Sequence, residues 1–250
     1  MYPHHAQSII RMTEYFRKDP QIQALFLIGS VATHTERPDS DLDGVAVIPS
    51  EYYAQKQAGA GTMEVVRGHC TYEGGYFDIH FLTKDILREL ADHGSEPMRN
   101  MFSCAQPLFC DDPELLELAS AIPVYPRAEK AEKLKQHYCT FKMFHRYFWK
   151  ACKPEGYARI HVADGMIYSL YRLILLENEL LFPGFRKLEA RVIAAPDKPE
   201  AIVEKCRRLI STLSDDDAAA LVEAYENWTS YDYPKDQDIV SNNFRDPYDW

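Results

Sequence analysis

Leu27-Ile28-Gly29-Ser30 and the later Ser40-Asp41-Leu42-Asp43-Gly44-Val45 carry the strongest fold signal in this chain. The first stretch closes a short apolar run that ends at Gly-Ser, which is typical of a buried strand leading into a tight turn. The second opens a β-branched and apolar run over residues 42–48, which predicts another strand. Because side chains two apart on a strand project from the same face, Asp41 and Asp43 are predicted to lie together.

Gly29 and Ser30 are predicted to bind phosphate. Glycine lets a ligand approach the backbone closely, and amides that point out of such a turn form an anion site together with a serine hydroxyl. The polar segment from Val31 to Ser40 contains Pro38 and is expected to be a loop or a single helical turn. Taken alone, each of these features also fits an ordinary strand end or a local Asx turn.

A third acid, Asp78, is predicted to complete the site. Residues 63–70 and 76–82 are expected strands joined through Glu73-Gly74-Gly75. Asp78 has apolar neighbours on both sides, and a buried, unpaired carboxylate is costly, so we expect it to face a cation. Carboxylate oxygens suit Mg²⁺. Asp41, Asp43 and Asp78 are therefore predicted to hold two Mg²⁺ ions, with Asp78 either as a ligand or as the base that takes a proton from an attacking hydroxyl.

Gly29-Ser30, Asp41-Leu42-Asp43 and a later strand with Asp78 resemble the nucleotidyltransferase superfamily typified by DNA polymerase beta. Within it, the chain is similar to bacterial antibiotic nucleotidyltransferases of the aminoglycoside and lincosamide types and to their uncharacterised relatives. The motifs cover about residues 24–82. The resemblance implies an α+β fold, in which a small mixed-sheet nucleotidyltransferase domain precedes an α-helical bundle domain. It also implies that ATP or another nucleoside triphosphate is a substrate.

The chain of 250 residues is predicted to form a catalytic domain, residues 1–122, and a helical domain, residues 127–250. The two prolines between residues 121 and 126 suit a short extended linker. In the first domain, helices are expected at residues 4–18, 83–93 with Thr83 as N-cap, 97–105 and 114–120. In the second, apolar spacing predicts four helices at residues 129–150, 157–180, 200–210 and 215–228. The tail from Thr229 onward could pack on the body or stay irregular.

Three basic residues, Arg37, Arg172 and Lys187, are candidates for binding the phosphates. Arg37 lies in the loop between the Gly-Ser turn and the aspartate pair. Arg172 shares a polar helix face with Tyr168 and, farther on, Glu179, and the alternative for this face is a solvated surface. Lys187 follows an aromatic-proline turn, as a lysine does in the chains that this sequence resembles.

Composition limits the partners. The formal net charge of −10 disfavours nucleic acid, since proteins that grip phosphates normally carry a basic face, and it favours a cationic small molecule. The six cysteines contain no Cys-x-x-Cys pair and are predicted to be reduced thiols in the cytoplasm. No signal segment and no apolar run of about 18 residues stands out, so no membrane is expected as a partner.

The sequence thus favours an Mg²⁺-dependent transfer of a nucleoside monophosphate, with AMP from ATP preferred, to a hydroxyl of a small-molecule acceptor such as an antibiotic. Pyrophosphate is the second product. Two alternatives stay open. One is an antitoxin-like or regulatory protein that binds nucleotide and a protein partner, and the other is a nucleotidyltransferase that modifies proteins or tRNA.

Overall fold

The computed structural model describes residues 1–243 and has the α+β architecture expected from the sequence. Contacts between Cα atoms divide the chain into two compact units, residues 1–124 and residues 125–250. The division lies between Pro123 and Pro126. The five strands of the described residues all belong to the first unit, and the second unit is helical.

The first unit is built on one mixed sheet. Its strands are β1 (Ala24–Leu27), β2 (Leu42–Val47), β3 (Met63–Arg67), β4 (Tyr76–Leu82) and β5 (Gln106–Cys110). They lie in the order β3-β4-β2-β1-β5, with β2 parallel to β4 and the other neighbours antiparallel. Because parallel neighbours begin at the same edge of a sheet, the first residues of β2 and β4 lie side by side.

Helices cover both faces of this sheet. They are α1 (Pro3–Phe16), α2 (Gly29–Ala32), α3 (Ser50–Ala58), α4 (Lys84–His93), α5 (Glu96–Phe102) and α6 (Pro113–Ala121). On one face, Met12 of α1 belongs to an apolar cluster with Leu42. On the other, Leu87 of α4 and Leu115 of α6 belong to a cluster with Val45. The central strands are therefore buried on both faces, which explains their near-continuous apolar sequences.

Gly44 in β2 allows α1 to pack closely on the sheet. A Cβ at this position would lie 2.5 Å from Cε of Met12 and 2.8 Å from Cδ1 of Ile79. Any larger residue must therefore displace the ends of the Met12 and Ile79 side chains. The glycine next to Asp43 thus serves packing between the strand and α1.

Most predicted elements of the first unit are confirmed, including Thr83, whose hydroxyl accepts the amide N–H of Ile86 at 3.2 Å as the N-cap of α4. Two elements were not expected. α3 has no buried residue and so shows no apolar stripe. β5 contains Pro107, which a strand at the edge of a sheet tolerates.

The second unit contains more helices than the four expected. After a 3-10 turn (Arg127–Glu129) come α7 (Lys130–Met143), a π-helical segment (Phe144–Ala151), α8 (Gly156–Glu177), α9 (Phe185–Ile193), α10 (Ile202–Thr212), α11 (Asp215–Trp228) and α12 (Asp236–Asn243). α9 buries only Leu188 and Val192, too few for a clear period. Within the predicted tail, which begins at Thr229, residues 236–243 form α12. Residues 244–250 lie outside the described residues. Every helix within residues 1–243 is too short or too polar to cross a lipid bilayer.

Arg99 in α5 is a buried cation that joins several chain segments of the first unit. It is 3% exposed. Its guanidinium donates to the backbone carbonyls of Ala91, Asp92, Gly94, Ile122 and Val124, at 2.8 to 3.3 Å. Carbonyls at helix ends lack partners within the helix, and the negative end of the helix dipole favours a cation. One side chain thus satisfies the ends of both α4 and α6.

We predict that Arg99→Lys lowers the free energy of unfolding of the first unit by about 3 kcal/mol, because an ammonium cannot reach all these carbonyls and leaves buried acceptors unpaired. Urea denaturation measures the change. Arg88→Lys is the matched control, since Arg88 pairs with Asp85 and Glu114 at the surface, where such pairs contribute less than about 1 kcal/mol. Equal losses in the two variants would contradict the assignment.

Candidate active site

Asp41, Asp43 and Asp78 converge at the end of the sheet where β2 and β4 begin. Each offers a carboxylate oxygen, and these oxygens all lie within 4.8 Å of one another. The strand register explains the convergence, because Asp43 and Asp78 are direct neighbours in the parallel pair of β2 and β4. Asp41 precedes β2 by one residue and lies on the side of Asp43. The structure therefore brings together the three acids that the sequence singled out.

The residues around these acids form an ordered array on one face of the sheet. Read from β2 across β4 to β3, its rows are Asp41-Tyr76-Arg67, Asp43-Asp78-Val65 and Val45-His80-Met63. Asp78 therefore has Asp43 on one side and, on the other, the apolar side chain of Val65, which is 49% exposed. The β4 residues Asp78 and His80 are thus bordered on the β3 side by Val65 and Met63, which are exposed apolar side chains.

Asp78 has an oxygen atom that is suited to bind a cation. Its Oδ1 atom is buried and has no hydrogen-bond partner among residues 1–243. A buried carboxylate oxygen without a donor is costly, and two further carboxylates beside it raise that cost. A hard divalent cation with oxygen ligands would remove both penalties. The donor set and its spacing thus fit Mg²⁺.

Tyr76 is a site residue that the sequence reasoning missed. Hydrogen bonding toward the Asp41 carboxylate raises the pKa of Tyr76, because losing the phenol proton would put a second negative charge beside that carboxylate. The guanidinium of Arg67 lies 4.7 Å from the centre of the Tyr76 ring. The available signal was its position two residues before Asp78, which places both on one face of β4.

Gly29 is needed next to Asp43. Its φ is +73°, and a Cβ there would lie 1.9 Å from Oδ2 of Asp43. The amide N–H of Ile28 also donates to the backbone carbonyl of Asp43 at 3.0 Å. The sequence assigned this glycine to the approach of a phosphate. The structure adds a second reason, because only glycine leaves room for the carboxylate.

Ser30 lies in the first turn of α2 and is partly exposed. The first amides of a helical turn have no acceptors within the helix, so the amides of Gly29 and Ser30 are suited to an anion. The carbonyl of Gly29 accepts the hydroxyl of Thr33 at 3.0 Å. Of the two expectations for the segment before Asp41, the structure has a single helical turn, followed by a loop.

Arg37 lies in that loop and is exposed. Its Nε donates to Oδ1 of Asp39 at 3.0 Å, and this hydrogen bond lowers the pKa of Asp39. Its backbone N–H donates to Oγ of Ser40 at 2.9 Å. The side chain is thus paired within the loop, and its role toward phosphate stays a prediction.

Arg172 and Lys187 lie in the second unit. The alternative of a solvated surface is wrong at Arg172, which is 8% exposed, with its guanidinium 4.3 Å from the centre of the Phe182 ring. Its role toward phosphate stays a prediction. Residues 169–176 of α8 are all buried, because this helix is surrounded by the others. Glu179 lies beyond the end of α8 and pairs with cations of its own unit. Lys187 is exposed in the first turn of α9.

Comparison with known proteins gives structural likenesses only. No protein-family model and no curated protein matches the chain. One similar solved structure is a nucleotidyltransferase-like protein from Exiguobacterium sibiricum 255-15, with TM-score 0.45 and 12% identity over 90% of this chain and 74% of that one. Another is spectinomycin adenyltransferase AAD(9) from Enterococcus faecialis, solved with ATP and spectinomycin, with TM-score 0.33 and 12% identity over 96% of each chain. The function proposed below is derived from the three carboxylates.

We predict that Gly29→Ala weakens Mn²⁺ binding about tenfold or more, because the new methyl group must displace the Asp43 carboxylate. Calorimetric titration with Mn²⁺ measures the affinity. Gly74→Ala is the matched control, since Gly74 has a φ of +76° and open space around its Cβ position. Both alanines carry the strain of a positive φ, about 1 kcal/mol. A similar loss of Mn²⁺ affinity in both variants would contradict the clash.

We also predict that Mg²⁺ stabilises the protein through these acids. At a concentration 100-fold above its Kd, a ligand of the folded state adds about 2.7 kcal/mol, which raises Tm. In EDTA, Asp43→Asn should unfold at the same or a higher temperature than the wild type, because one of three crowded charges is gone. In that variant Mg²⁺ should no longer raise Tm.

Asp111→Asn serves as the control for this thermal experiment, because Asp111 is an exposed acid outside the array. It should keep the wild-type response to Mg²⁺. A wild-type Tm that is unchanged between EDTA and saturating MgCl2 would remove the assignment of these carboxylates to a metal.

Proposed function

We propose that this protein is an Mg²⁺-dependent nucleotidyltransferase that moves a nucleoside monophosphate, AMP from ATP by preference, to a hydroxyl of a small-molecule acceptor. The observation that carries the proposal is the convergence of Asp41, Asp43 and Asp78, with the buried Oδ1 of Asp78 lacking a partner. Acids crowded in this way are unfavourable for folding. They are expected where a charged ligand is bound and chemistry is performed.

Asp41 and Asp43 would hold the metal ions through their carboxylates. When bound between carboxylates and a triphosphate, Mg²⁺ supplies charge neutralisation for the attacking and leaving oxygens of an in-line displacement. The phenol of Tyr76 lies beside Asp41 and interacts with this carboxylate. Gly29 keeps the backbone of the Gly-Ser turn against Asp43. The phosphate and metal positions would therefore be coupled through one glycine.

Asp78 is proposed as the group that receives the proton of the acceptor hydroxyl, or else as a third metal ligand. Its buried Oδ1 has no hydrogen-bond donor among residues 1–243, so this oxygen can accept the proton of the hydroxyl. On the side that faces away from Asp43, Asp78 is bordered by Val65, which is exposed. We infer that the acceptor hydroxyl approaches Asp78 from this side of the sheet.

Gly29 and Ser30 are proposed to bind the triphosphate through backbone amides and the serine hydroxyl. Arg37, Arg172 and Lys187 are proposed as further cations for the phosphates. Arg172 requires the most rearrangement, because its guanidinium is buried over Phe182. The acceptor is proposed to be a small molecule, with hydroxylated antibiotics such as spectinomycin as one class, and the protein to act in the cytoplasm.

We predict that pyrophosphate is released when the protein, Mg²⁺ and ATP are mixed with a suitable acceptor from a panel of hydroxylated antibiotics and metabolites. Asp78→Asn should lower kcat about 100- to 10,000-fold if the carboxylate is the base. Asp41→Asn and Asp43→Asn should abolish turnover while circular dichroism shows the fold retained. Asp111→Asn should be as active as the wild type.

The panel also separates this function from its alternatives. Full activity in Asp43→Asn would exclude the proposed mechanism. Nucleotide binding without pyrophosphate release from any acceptor, together with co-purification of an unrelated protein, would instead favour a regulatory or antitoxin-like partner. Turnover confined to tRNA or to a protein acceptor would replace the small molecule by a macromolecule.

A further inference from the structure

Three side-chain donors converge on the short loop before the first aspartate of the site. Nε2 of His4 donates to the carbonyl of Pro38 at 2.9 Å, and Nε2 of His5 donates to the carbonyl of Ser40 at 3.1 Å. The hydroxyl of Tyr72 donates to the same Ser40 carbonyl. Ser40 is 8% exposed, so the two bonds to its carbonyl are largely shielded from water, whereas the bond from His4 to Pro38 is exposed. The residue that follows is Asp41.

The acceptor fixes the tautomer of His5. A carbonyl oxygen can only accept, so Nε2 carries the hydrogen and Nδ1 carries the lone pair. His5 has no exposed surface, and Nδ1 has no hydrogen-bond partner among residues 1–243. An apolar side chain would fill this space without leaving a buried nitrogen unsatisfied. His5 therefore differs from an apolar residue at this position by one useful contact, the hydrogen bond from its Nε2–H to the Ser40 carbonyl.

Tyr72 connects this loop to the strand that carries Asp78. Its ring packs edge-on against the His5 ring, with the centroids 5.0 Å apart at 84°. On Gly75, a Cβ would lie 2.6 Å from the Tyr72 ring, so the backbone just before β4 lies against the tyrosine. One side chain thus contacts α1, Gly75 just before β4 and, through its hydroxyl, the residue before Asp41.

We propose, resting on the nucleotidyltransferase function above, that His5 and Tyr72, assisted by His4, are positioning residues that hold Asp41 ready for metal. They act through the Ser40 carbonyl. Without a cation, the three carboxylates repel one another, and Asp41 precedes its strand by one residue. The hydrogen bonds from His5 and Tyr72 to the Ser40 carbonyl resist an outward rotation of Asp41. Groups that orient metal ligands in this way commonly change metal affinity 10- to 100-fold when they are removed.

The test is an electron paramagnetic resonance titration of Mn²⁺ into the full-length chain with α,β-methylene-ATP, which measures bound metal independently of turnover. Tyr72→Phe, which removes one oxygen, and His5→Leu are each expected to weaken Mn²⁺ binding about 10- to 100-fold. His5→Gln should stay within about threefold of the wild type, because its amide N–H can donate at a similar reach. Ser8→Ala is the matched control.

Ser8 lies on the same helix and is buried, but its hydroxyl bonds to Thr71 and not to the 38–40 loop. Ser8→Ala should therefore keep wild-type Mn²⁺ affinity even if Tm falls. Equal weakening in Ser8→Ala would reduce the effect to general destabilisation and overturn the inference. If His5→Leu does not fold, Tyr72→Phe decides.

Two further outcomes separate the inference from the proposed function. Wild-type affinity in Tyr72→Phe and His5→Leu, with the wild type itself binding Mn²⁺ and nucleotide, would overturn the positioning role and leave the nucleotidyltransferase function standing. A wild-type chain that binds neither Mn²⁺ nor the nucleotide analogue would overturn the proposed function, and the positioning role with it.

Discussion

The first unit must hold three mutually repelling carboxylates together on one face of its sheet. The parallel register of β2 and β4 puts Asp43 directly beside Asp78, and like charges in neighbouring strand positions destabilise a sheet. The opposing free energy comes from apolar burial on both faces of the same strands. Gly44 contributes by letting α1 pack closely against β2. The core thus holds together a site that would otherwise separate.

The same constraint connects stability with binding. A site that is unfavourable in the metal-free state gains most from a cation, because the ligand relieves repulsion as well as forming new bonds. Polar contacts around the acids then fix their directions. Tyr76 interacts with Asp41, and His5 and Tyr72 donate to the carbonyl of Ser40. These groups come from α1, from the segment before β4 and from β4 itself, so several distant parts of the chain support one residue.

The second unit shows how burial overrides a surface pattern. On a helical projection, Arg172 falls on a polar face with Tyr168, which suggested exposure to ligand or water. α8 is instead enclosed by neighbouring helices, so the guanidinium is buried over Phe182 and near the hydroxyl of Tyr168. Spacing gives the direction of a side chain relative to its own helix axis. It carries no information about which elements surround the helix.

The main strands and helices, the Thr83 cap and the selection of Asp41, Asp43 and Asp78 could be predicted from the sequence, because periodicity and turn residues act over a few positions. The α+β class followed from the resemblance to nucleotidyltransferases. The features that depend on contacts between distant segments are visible only in the folded chain. These are the parallel register that places Asp43 beside Asp78, the fit of Gly29 against Asp43, and the closure of His5 and Tyr72 on Ser40. Such contacts form only after loops of many residues close, and local sequence does not encode which partner they meet.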